Sequence, residues 1–90
     1  MTKVYQIWEV EESYPYERYT LATGTLKQCS EAFADWLYQH NEDLDEEDQA
    51  EWNEDHESVL LFCNNPEEWV KKYGDDEIYS DWNLEYLCEV

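Results

Sequence analysis

Ten carboxylates fall within the sixteen residues from Glu42 to Glu57, EDLDEEDQAEWNEDHE, with no Lys or Arg among them and Leu44, Ala50 and Trp52 as the only apolar side chains. Carboxyl groups at this density have three chemistries open to them: acid–base catalysis, ligation of hard cations, and presentation of negative charge. Little identifies the first. Carboxylate pairs can be drawn almost anywhere among the 24 acids of the chain, so their presence carries no information. Neither His40 nor His56 has a Cys or Ser at a nucleophile–base spacing, and the two glycines, Gly24 and Gly74, fall as punctuation rather than in a phosphate loop. The expectation is a protein without catalytic residues, not an enzyme.

Cation ligation fares little better. Twelve residues counted from Asp43 place acids at positions 1, 3, 5 and 12 of an EF-hand loop (Asp43, Asp45, Glu47, Glu54), but Asp48 stands at position 6, where the turn needs Gly. That leaves weak divalent-cation binding, with no dedicated metal site and no cofactor expected. Cys29, Cys63 and Cys88 are odd in number and far apart, which suits neither a disulfide framework nor zinc. A reducing cytoplasm is the expected compartment. No membrane-length apolar run occurs, so no membrane anchor is expected.

Presentation of charge remains. The net charge is −19, of which residues 1–41 contribute −3, residues 42–57 −10 and residues 58–90 −6. A field of this sign repels nucleic acid and anionic membranes, so direct binding to either is excluded, and basic proteins are the natural partners. The surface expected to meet such a partner comprises Glu42, Asp43, Asp45, Glu46, Glu47, Asp48, Glu51, Glu54, Asp55 and Glu57, with a second patch at Asp75, Asp76, Glu77 and Asp81. Trp52, Tyr79 and Trp82 lie among these acids as candidate apolar anchors, although packing into a core is the commoner role of such aromatics. The bland alternative for 42–57 is a solvated or poorly ordered linker.

Ninety residues make one domain, 1–90, and five Trp, eight Tyr and two Phe supply a core dense enough to argue against disorder. Lys3 to Glu11 alternates as a strand, with Val4, Gln6, Trp8 and Val10 on one face and Tyr5 and Ile7 on the other. A Tyr14-Pro15-Tyr16 turn leads to a second strand, Glu17 to Thr23, pairing as a hairpin. Thr25 and Gln28 match a capping box, and Leu26, Cys29, Phe33, Trp36, Leu37 and His40 follow as one apolar helical stripe ending near Asn41. Asp45 is placed to cap a short helix over Glu46 to Asn53, with irregular loop as the alternative and Trp52 as its one anchor. Ser58 to Cys63, SVLLFC, reads as a buried central strand. Asn65-Pro66-Glu67-Glu68 opens a second helix that Gly74 closes, and Leu84 to Val90 alternates as a final strand. The predicted architecture is α+β, a mainly antiparallel sheet with helices on one face, in the order β-β-α-(acidic segment)-β-α-β.

Small size, extreme acidity, high Trp and Tyr content and no catalytic motif together resemble the DNA-mimic inhibitors that phages and mobile elements direct against host defence, of the anti-restriction and anti-CRISPR type. The resemblance is one of composition over the whole chain and transfers no individual residue. It implies an inhibitor that occupies the DNA- or PAM-reading groove of a nuclease or its complex. Acids one helical turn apart, about 5–6 Å, give a spacing comparable to that of backbone phosphates. A homodimer would extend the acidic face. The competing expectation is a binding module or adaptor that grips its partner through an aromatic patch, its acidity serving solubility.

Overall fold

The computed structural model describes residues 2–11, 17–74, 77–79 and 81–90; the expected Tyr14-Pro15-Tyr16 turn and Asp75 and Asp76 lie outside them. Among the described residues eight elements follow one another: β1 (Lys3–Glu11), β2 (Glu17–Gly24), α1 (Leu26–His40), α2 (Glu46–Asp55), α3 (Glu57–Asn64), α4 (Pro66–Tyr73), β3 (Glu77–Tyr79) and β4 (Trp82–Glu89). The strands form one antiparallel sheet in the order β2-β1-β4-β3, so the α+β architecture is as the sequence predicts.

Period-two alternation decides which way β1 faces. Tyr5 and Ile7 turn inward with Leu84 and Trp82 of β4 and Ile78 of β3, and all five are buried. Each of the three strand pairings contains a register break. Leu21 is the extra residue opposite Ile7 and Trp8, and Leu87 is the extra residue opposite Val4 and Tyr5. The outer face of the sheet carries a polar lattice instead of a helix. The Arg18 guanidinium lies 4.1 Å from the Trp8 ring centre, pairs with Glu85 at 2.7 Å and contacts Gln6.

α1 starts where Thr25 and Gln28 exchange hydrogen bonds, Gln28 N–H donating to Thr25 Oγ1 (3.2 Å) and Thr25 N–H to Gln28 Oε1 (2.8 Å). Gly24 leaves room for that carboxamide, which a Cβ would strike. Cys29, Phe33 and Leu37, four residues apart, form the buried stripe. Phe33 meets Phe62 at 5.9 Å and Trp82 at 6.2 Å, and Phe62 meets Trp69 at 5.4 Å, all edge to face. This is the centre of the core, where each fully buried large side chain contributes about 1.5–3 kcal/mol.

The segment 58–63 departs from expectation: it is the helix α3, so the central strand predicted there does not exist, and four helices separate β2 from β3. A continuous apolar run satisfies a buried strand and a buried helix equally well, and flanking chain decides between them. Here α2 ends one residue before α3, and Asn65-Pro66 starts α4 one residue after it, which leaves no chain for a crossover into the sheet. Val59 and Phe62, three apart, face the core, while Leu60, Leu61 and Cys63 are half-buried, Leu61 and Cys63 packing against that core from its margin. β3 is the opposite omission, a three-residue strand inside what reads as an acidic loop.

Candidate acidic interface

The 42–57 segment runs through a turn into α2 and on to the first residue of α3. Asp45 caps α2, its Oδ1 accepting from Asp48 N–H at 2.9 Å, and Glu46, Glu47 and Asp48 occupy the first turn, where the helix dipole favours negative charge. At about 100° per residue, the six acids of α2 spread over an arc of roughly 200°, with Ala50 inside it, and leave Gln49, Trp52 and Asn53 facing inward. Burial agrees: those three are half-buried, and all ten acids from Glu42 to Glu57 are exposed. Glu47, Glu51 and Asp55 form one i, i+4 row, with Asp48 and Glu54 flanking it one turn away, so neighbouring Cβ atoms stand about 5–6 Å apart. Among the described residues no ion pair involves any of these acids; the two pairs present are Arg18–Glu85 and Lys27–Glu31.

Trp52 ties α2 to the body of the protein, packing against the core while part of its surface stays open. His56 holds the far end. Its Nδ1 lies 2.8 Å from the Trp52 carbonyl oxygen, which can only accept, so Nδ1 carries the proton. The same ring stacks on Trp52 (4.2 Å, 12°) and meets the edge of Tyr79 at 5.3 Å. Tyr79 in turn meets Trp52 at 5.8 Å and is half-buried. Three aromatic rings from α2, the α2–α3 junction and β3 thus lock the acidic helix to the sheet edge.

This cluster also joins the two acidic stretches. Asp55 and Glu77 line one shallow depression with His56, Ser58 and Tyr79. Asp81, also exposed, sits in the turn before β4, where its carbonyl accepts from Val10 N–H (3.4 Å) and Asn83 Nδ2 (2.9 Å). Trp82, considered as an anchor, is buried at 4% exposure beneath Trp36 and belongs to the core.

Sequence reasoning missed two residues here. For His56 the signal is its i, i+4 spacing from Trp52, which marks it as the helix terminator. Tyr38, 77% exposed on α1, stands beside a cleft of about 500 Å³ between α1, α2 and α3 whose floor includes Leu37, Trp52 and Leu60. The EF-hand count from Asp43 falls on helix rather than loop, and among the described residues no group of three or more His, Cys, Asp or Glu is arranged to hold a metal ion.

Burial raises the Cys29 thiol pKa, against the opposing pull of backbone hydrogen bonds, and pushes that of Cys63 up to about 11. Both are therefore poor nucleophiles at neutral pH, while Cys88 is exposed. No helix among the described residues is long and apolar enough to cross a membrane. Compared with known proteins, the chain matches no family model, no curated protein and no solved structure.

Proposed function

We propose that this protein is a non-enzymatic inhibitor that mimics nucleic acid and occupies the phosphate-binding groove of a basic nucleic-acid-binding protein, a host defence nuclease or its complex, of the anti-CRISPR or anti-restriction kind. One observation carries the reading: α2 is a held helix whose exposed arc is acidic and unpaired. Its charge density supports mimicry over ornament. Six acids over ten residues, at about 1.5 Å of rise each, place one negative charge every ~2.5 Å, between the ~1.7 Å of duplex DNA and the ~3.4 Å of one strand. A groove built to neutralise phosphates meets a row of comparable density. Three free thiols accord with action inside a reducing cytoplasm.

The helix also carries acids where they cost stability. Glu54 and Asp55 sit in its last turn, against the dipole, and no base accompanies them. Solubility alone does not call for charge at that position.

The test is capture from a host lysate at low salt, elution at high salt, and competition by duplex DNA. Affinity is expected to fall at least about tenfold between 50 and 200 mM salt, and duplex DNA to displace the protein. Reversing Glu47 and Glu51 to Lys is expected to weaken binding at least as much with the fold intact. The exposed Tyr19 and Tyr38 favour a second reading, an adaptor that grips through aromatics. Binding that survives about 0.5 M NaCl and ignores DNA would establish that reading in place of mimicry.

A further inference from the structure

We propose that the cleft between α1, α2 and α3 receives an arginine side chain of the basic partner. The proposal rests on the mimicry reading and names the chemistry of its central contact. The cleft has two zones. Leu37, Leu60 and the open side of Trp52 give it an apolar floor, and Asn41 and Glu42 give it a rim rich in hydrogen-bond acceptors. Its volume of about 500 Å³ is that of a small-ligand site, ample for one long side chain.

Charge selects the occupant. None of the five Lys and Arg residues lines this cleft, whereas Lys3, Lys27 and Lys71 share a different groove between β1, α1 and α4. One wall of the cleft is α2, whose outward arc is acidic, and the last turn of α1 ends at it, presenting the negative pole of that helix. An anionic ligand is repelled here. A purely apolar side chain would cover Glu42 and Asn41 without satisfying them. An aliphatic stem carrying a cation meets both zones, the stem on the floor and the charge at the rim.

Arginine fits better than lysine. A flat guanidinium can stack on Tyr38, which stands 77% exposed at the mouth, while donating two parallel hydrogen bonds to the Glu42 carboxylate. A compact ammonium makes neither arrangement as well. The pairing of stacked aromatic and carboxylate is what turns long-range attraction along α2 into a fixed register.

The experiment titrates the whole protein at low salt with acetylated, amidated Gly-Arg-Gly-Arg-Gly and with its lysine and citrulline counterparts, followed by NMR at the backbone amides and the Trp52 indole. The arginine peptide is expected to bind about fivefold tighter than the lysine peptide, with shifts concentrated at Tyr38, Asn41, Glu42 and Trp52, and the citrulline peptide not to bind. Tyr38→Ala and Glu42→Gln, both at exposed positions, are expected to bring the arginine preference down to within about twofold while leaving the melting temperature unchanged. Arginine and lysine peptides that bind alike, with shifts confined to the α2 acids, would overturn the cleft assignment and leave mimicry standing. Citrulline binding equal to arginine would overturn it as well. If no cationic peptide binds anywhere, the mimicry reading fails with it.

Discussion

Gly74 closes α4 at φ 75° and ψ −143°, a region that residues with a Cβ rarely adopt, and its amide donates to the Val70 carbonyl at 2.8 Å. A Cβ there would touch nothing within 4 Å, so the cost of substitution is conformational and not steric. Gly74→Ala is expected to lower stability by about 1–3 kcal/mol in urea unfolding, with unchanged helix content. The thiols give a second residue-scale prediction. Cys63 is held near 11 in the folded protein against an ordinary value of 9.0, so the unfolded chain releases its proton first as pH rises. Stability from this group is complete below about pH 9 and is lost towards pH 11, a slope that Cys63→Ala is expected to reduce, with the raised Cys29 thiol contributing the remainder in the same direction. Gly74 was legible because a helix stop is local, following Lys71 and Lys72 in the sequence. His56 was not, because half of its role comes from Tyr79, 23 residues away in another element.

Elements that announce themselves by short-range hydrogen bonds leave a local signal in the sequence. The Thr25–Gln28 box, the Asp45 cap and the Asn65-Pro66 start each depend on residues within one turn, and each is formed. α3 is not legible, for the converse reason: SVLLFC is apolar enough to be buried in either geometry, and only its closeness to α2 and α4 makes it helical. β3 is three residues long, too short for alternation to show. α2 itself stood between helix and loop, since Trp52 is its sole large apolar residue and the ring of His56 that completes its anchorage is invisible to periodicity. The acids at the end of α2 can be tested as an element. Changing Glu54 and Asp55 to Lys places cations at the negative pole, and Asp55→Lys adds an i, i+4 pairing with Glu51. The double variant is expected to gain about 0.5–1.5 kcal/mol in thermal unfolding while losing affinity for the captured partner. A variant that gains neither stability nor loses binding would separate those charges from function.

The molecule as a whole carries −19 with two described ion pairs to offset it, so self-repulsion opposes the compact state. Raising NaCl from about 20 mM to about 300 mM is expected to increase Tm, by roughly 4–8 °C for each kcal/mol of repulsion screened. A Tm that stays level or falls would count against a dense acidic face. The interior that withstands this repulsion consists, among the described residues, of eleven buried apolar side chains, from Tyr5 to Leu84. None of them lies between Glu42 and Ser58. Interior packing and surface charge are thus written in different letters of the same chain, with Trp52 as the hinge pin between them. Charges on the outer arc of α2 can therefore be exchanged for others while the sheet and the side chains packed beneath it stay as they are.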